Sequence, residues 1–287
     1  MSPSMRGGIS EVAFLVLAVL LVGAICLPLW PLGSAGREAA LFTPERLGRM
    51  FLGWEQAGEY VCFVWAGFIL LQHYLYIWRQ RQAFGLNWLP TERYQRILPE
   101  DADDFLRRTE ELNRQRYVLG TLLSLALERF QRTQSSQEAS EVIRSRATIE
   151  GERLDNALST VHYLAWAIPA LGFVGTVRGI SMALAGAPAL GTDSDQVASA
   201  LQNFLTHTSY SLAIAFDTTF VALLLSLVLL LLLHWVQRTQ EDFVLDCQQY
   251  VLENLVTRLY VLQTVAASSA DGEMVAGSEM RWRAPKG

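Results

Sequence analysis

The chain has 287 residues, 51% of them hydrophobic, with a formal net charge of −5 and a mean hydropathy of +0.22. Its apolar residues are gathered in long runs, which excludes an ordinary soluble globular domain, and the negative balance gives no reason to expect nucleic-acid binding. Cys26, Cys62 and Cys247 show no CxxC or Cys/His spacing, so packing is expected of them and neither a metal nor another cofactor is.

A bilayer core about 30 Å thick needs about 20 apolar residues in helical form. Four stretches meet that requirement: Val12 to Pro31, Tyr60 to Trp78, Leu158 to Leu184 and Ser209 to Val236. The expected fold is an all-α integral membrane protein with four transmembrane helices. The first run follows Arg6, as a secretory signal would, but it is long for a signal core, and Gly23-Ala24-Ile25-Cys26 lacks a small-residue cleavage pattern. It reads as an uncleaved span, and residues 1–78 as an N-terminal two-span membrane region.

Residues 79–156 form the next unit, and they carry thirteen arginines, whereas residues 185–208 carry no Lys or Arg. Basic residues flanking spans stay on the cytoplasmic side. The asymmetry therefore puts residues 79–156, the N-terminus and the tail after Arg238 inside, with residues 32–58 and 185–208 outside. Within the inner segment, Phe105, Leu112, Val118, Leu119, Leu122 and Leu125 recur at helical steps behind Pro99 and the acidic residues Glu100, Asp101, Asp103 and Asp104. A turn is expected at Ser135-Ser136. Beyond it, Ala139, Val142, Ile143, Ala147 and Leu154 predict an antiparallel helical partner that runs on into the third span, a solvated stem rather than a catalytic unit.

The third and fourth spans, residues 157–236, hold the most informative pattern. Pro169, Gly172, Gly175, Gly179 and Ala183 lie in one apolar helix, and the last three, four residues apart, share a face without bulk on which another helix can sit closely. Pro169 should loosen the helix, with a neighbour satisfying the carbonyl it frees. The fourth span carries Asp217, Thr218 and Thr219. An ionisable group in hydrocarbon costs a few kcal/mol, so Asp217 should face the bundle interior, a partner or water. Two roles stand open for it. Arg178 lies about six residues from the outer end of its span and Asp217 about eight from the start of the next, depths that match within roughly 3 Å, so the two could form an ion pair. Alternatively, Asp217 titrates in an ion path.

His73, His162 and His234 fall near the inner ends of spans, where they suit interfacial anchoring, with assistance to proton exit as the second reading. Residues 237–265 continue the helical pattern through Phe243, Cys247, Val251 and Leu255, and residues 266–287 have the composition of a disordered tail. No nucleotide loop, catalytic triad or paired-histidine metal motif is present, so no enzyme is expected.

The segments Pro169 to Ile180 and Ala215 to Leu223 together resemble the paired signatures of the MotA/TolQ/ExbB proton-channel family: a proline and LGFVGTVRG, then an alanine-rich helix bearing threonine. The resemblance covers about residues 140–255. It implies a homo-oligomeric ring, a pentamer around two copies of a single-span MotB/TolR/ExbD-like partner whose membrane aspartate carries the proton. It also implies a bacterial inner-membrane location and a role as stator in an ion-driven molecular motor. By motif, Thr176 and Thr219 match the two pore-facing threonines of the TolQ/ExbB branch, with Asp217 as a third candidate on the ion path. A hydroxyl bonded back to its own helix carbonyl is the plainer reading of each threonine. The TolQ/ExbB glutamate is replaced by Ile214, and four spans are closer to MotA. A membrane scaffold that recruits soluble proteins without conducting, and a channel that conducts alone, are the rival functions.

Overall fold

The computed structural model describes residues 4–34, 53–86, 106–107, 109, 117–185 and 194–256. All regular structure among them is helical: α1 (Ser4–Ser34), α2 (Trp54–Arg81) with a closing 3-10 turn (Gln82–Leu86), α3 (Val118–Thr133), α4 (Ser136–Ala157), α5 (Ser159–Ala185) and α6 (Ser194–Asn254). Four stretches are long and apolar enough to cross a membrane: Glu11–Pro28, Trp54–Gly85, Ser136–Ala185 and Val197–Asn254. Large apolar side chains cover their outer faces, with Leu20, Phe173 and Leu231 each more than 60% exposed. Lipid tails solvate such a band where water would not, and helices satisfy their own backbone groups there. The chain is a multi-pass membrane protein.

Helix α1 packs on α2, α2 on both α5 and α6, and α5 along α6. Thr160 donates to Glu11 Oε2 at 3.4 Å, which puts the start of α1 at the same end of the bundle as the start of α5. One core lies among the spans, built from Ala66, Ile69 and Leu70 of α2, Val161, Leu164 and Ile168 of α5, and Ala222, Leu229 and Leu233 of α6. A second lies below it, where Leu122, Leu127 and Phe130 of α3 and Ile143 of α4 close on Phe243, Cys247 and Val251 of α6. Both cores draw on α2, which adds Ile77 to the second, and on α6. The 61 residues of α6 make a rod about 90 Å long, against about 30 Å for the hydrocarbon layer.

The lower hairpin forms as its turn chemistry dictates. Gln134 takes the left-handed conformation (φ 52°) and its N–H donates to the Phe130 carbonyl at 2.8 Å, which ends α3. Ser135 then caps α4 by accepting from the Glu138 N–H at 3.3 Å. The helix predicted from Phe105 through Leu125 is interrupted, however, because Tyr117 is extended and α3 begins at Val118, whose N–H donates to Gln80 Oε1 at 3.0 Å. The second partner does run into the membrane, with a single bend at Leu158 separating α4 from α5.

Two span boundaries differ from expectation. Helix α2 starts at Trp54 rather than near Tyr60, so Glu55, Gln56 and Glu59 belong to it. Helix α6 starts at Ser194, so residues 194–208, expected as outer loop, continue the fourth span outward; with no Pro or Gly from Thr192 to Asn254, nothing in that stretch stops a helix. The acidic start at Glu100 to Asp104, most of the 32–58 loop, and the tail from residue 257 lie outside the described residues.

Candidate functional site

Helices α5 and α6 meet along the small-residue face, within one chain. A Cβ on Gly175 would stand 2.7 Å from Thr218 Oγ1, and one on Gly179 would stand 2.6 Å from the Ala215 Cβ and 2.9 Å from the Ser211 carbonyl. At Gly172 the added carbon would overlap the Ala222 Cβ. The pairs 172/222, 175/218 and 179/215 define an antiparallel register, and Ala183 extends it, its carbonyl accepting from the Thr208 hydroxyl at 3.2 Å. Only glycine permits this approach.

Pro169 sits inside α5 without ending it. Its missing N–H leaves the Ala165 carbonyl, one turn earlier, without its helical donor. The buried hydroxyl of Ser226 on α6 supplies the replacement, donating to Ala165 O at 3.0 Å. The repair expected of a neighbouring helix is thus made by one named side chain, which the sequence did not single out.

Thr176 and Thr219 come together at the rim of this seam, their hydroxyls 2.5 Å apart. Thr176 also reaches the Gly172 carbonyl at 3.0 Å, and Thr219 reaches the Gly172 and Ala215 carbonyls at 3.3 and 3.2 Å. Each hydroxyl has one proton to give and lone pairs to accept with, so the two can exchange donor and acceptor roles while the backbone carbonyls hold them in place. Helix back-bonding and mutual contact coexist here. Both side chains are half-buried, and beside them Phe173, Val177, Phe216 and Phe220 are exposed on the same side of the seam. A pair of neutral, reorienting hydroxyls in an apolar surround can solvate a passing charge without trapping it.

Asp217 is not part of that pair. Residues two apart on a helix point about 160° away from each other, so Asp217 faces away from Thr219 and Arg178 faces away from Thr176. Asp217 is buried, at 8% exposure. The expected Arg178–Asp217 ion pair is replaced by another: Arg178 Nη1 donates to Glu55 Oε1 of α2, and its guanidinium lies 4.7 Å above the Trp54 ring. Arg178 and Asp217 do lie at matching depth, since the seam register sets Arg178 level with Phe216, one residue from Asp217. A third helix, α2, reaches the same arginine. Glu55 and Glu59, one turn apart just ahead of an apolar run, were the available signal.

His73, His162 and His234 stay at helix surfaces, at the end of the spans nearer the lower core. His73 and His162 each place Nδ1 against the carbonyl one turn back, at 3.0 and 3.1 Å from Ile69 O and Leu158 O. Among the described residues no group of His, Cys, Asp and Glu is arranged to hold a metal ion.

These features define a class: a polytopic helical membrane protein whose last two spans close a glycine seam beside a polar hydroxyl pair. Residues 113–249 match the family model of the MotA/TolQ/ExbB proton channel family. The match runs from just before α3 to near the end of α6, so the lower helical hairpin is included with the two spans. Comparison with curated proteins and with solved structures gave no match.

Proposed function

We propose that this chain is the proton-conducting subunit of an ion-motive-force-driven molecular motor, assembled as a homo-oligomeric ring around a single-span partner. The observation that carries the reading is the Thr176–Thr219 contact at the rim of the α5–α6 seam, inside the stretch that matches the proton channel family. Five copies around two MotB/TolR/ExbD-like partners is the assembly this reading takes, with the exposed face around the threonines turned to the partner. Protonation of a carboxyl on the partner would remove a charge from the seam, change which subunit it prefers, and shift the population toward the next position around the ring.

The same reading places the protein in the bacterial inner membrane with both termini in the cytoplasm. The thirteen arginines of residues 79–156, against none in residues 185–208, support it. The lower core of α3, α4 and α6 would then stand in the cytoplasm as a stem. A cysteine introduced at Arg107 should be labelled only from the cytoplasmic side, and periplasmic labelling would reverse the orientation.

Flux in proteoliposomes tests the function itself. With the partner present, a proton gradient should decay faster than in protein-free vesicles, and with the chain alone it should not. Equal decay with and without the partner would make the chain an independent channel. No decay in either would leave it a non-conducting scaffold.

A further inference from the structure

Glu59 has a place that the threonine path does not explain. It lies in α2, fully buried, and neither of its carboxylate oxygens has a hydrogen-bond partner. Helix geometry sets it about 6 Å further into the bundle than Glu55, one turn along the same face. Glu55 is held by Arg178, so that guanidinium is already engaged by another carboxylate. The other titratable groups around Glu59 are Tyr60 and Cys62 on its own helix, with Cys26 of α1 next to Tyr60. On α6, the seam register puts Asp217 one residue from the level of Arg178, the partner of Glu55. Tyr60, the two cysteines and Asp217 add no positive charge.

An ionised carboxylate buried without a donor would carry a desolvation cost of several kcal/mol. Binding one proton removes that cost, because the neutral acid has no charge to solvate. A hard metal cation would instead require a shell of about six oxygens, and among the described residues no group of His, Cys, Asp and Glu is arranged to supply one. The chemistry therefore selects a proton over a sodium ion at this position.

We propose that Glu59 is a proton-binding site inside the subunit, on the flank of the α5–α6 seam opposite the threonine pair. The step is simple: a proton from water on the Glu55 side of the bundle forms one O–H bond on the Glu59 carboxylate, and release breaks the same bond. The route in passes the Arg178–Glu55 pair, where the arginine side chain is 41% exposed. Glu59 is separate from the partner's carboxyl and does not depend on the proposed motor, so it is tested on the isolated chain.

Infrared difference spectroscopy on the full chain in lipid vesicles at neutral pH reads the site directly. Wild type minus Glu59→Gln should show a protonated-carboxyl C=O band, and that band should shift in heavy water as the proton exchanges. Loss of carboxylate bands alone would show that Glu59 is ionised and would overturn the proposal. Glu59→Gln should keep wild-type abundance and melting temperature, because an amide replaces a neutral acid of nearly equal size. If that variant fails to fold, wild-type chain grown with isotope-labelled glutamate settles the matter: a protonated glutamic C=O band that moves with the label is expected, and its absence overturns the proposal.

Discussion

The membrane half and the lower half of α6 are stabilised in opposite ways. Above, its contact with α5 is made by Ala215, Thr218 and Ala222 against Gly172, Gly175 and Gly179. Below, Phe243, Cys247 and Val251 meet Leu122, Leu127, Phe130 and Ile143. With the lower half standing in water, as proposed, the solvent explains the contrast. In lipid, burying a large apolar side chain gains little over leaving it in the tails, so helices associate through close approach of small residues and a few polar contacts. In water the same burial contributes roughly 25 cal/mol per Å² of apolar surface, and large side chains are favoured.

The comparison is broken most severely at the seam. Gly175→Leu should abolish folded, membrane-extracted protein, whereas Leu231→Phe, on the exposed face of the same helix pair, should leave it near wild type. Size-exclusion chromatography with quantitative blotting reads both. Equal recovery would mean that the seam is not held by close approach.

In the lower core the expected loss comes from a cavity. Phe130→Ala should cost about 3–5 kcal/mol, and hydrogen exchange should rise in α3, α4 and the lower part of α6 while α5 stays protected. Exchange rising equally in α5 would show that the two halves unfold as one unit.

Glu55→Gln probes the flank that carries charge. It leaves Arg178 without its carboxylate and should cost about 1–3 kcal/mol, with most of the loss recovered when Arg178→Gln is added. Recovery by Asp217→Asn in place of the arginine change would reassign the pair.

The smallest effect concerns Ser226. Ser226→Ala should cost about 1 kcal/mol in a detergent melt, and much less in a Pro169→Ala background, where the Ala165 carbonyl regains a backbone donor. An equal cost in both backgrounds would show that the hydroxyl does something other than repair the proline.

Much of this was legible in the residue order. The four apolar runs mark the spans, the Ser135 cap ends the hairpin turn, and the glycine spacing marks the seam. Periodicity alone did not find the beginnings of α2 and α6. Their first turns, around Glu55 and Ser194, are polar, and a hydropathy reading assigns polar segments to loops even where no residue breaks a helix. That error hid Glu55 and made Asp217 the apparent partner of Arg178. The separation of Asp217 from Thr219 was readable, since a two-residue step never returns to the same helix face. The meeting of Thr176 with Thr219 was not, because it depends on the register of two helices 43 residues apart. Family resemblance pointed to both residues; only the folded seam puts their hydroxyls in contact.

The central claim is that the threonine rim, not the charged flank, lines the ion path. Thr219→Val removes the hydroxyl at nearly constant volume, and the measurement is proton flux in vesicles holding the chain with its single-span partner. The variant should assemble as wild type and lose most of its flux, while Asp217→Asn, on the other flank, keeps its flux wherever it assembles. Full flux through assembled Thr219→Val would contradict the account.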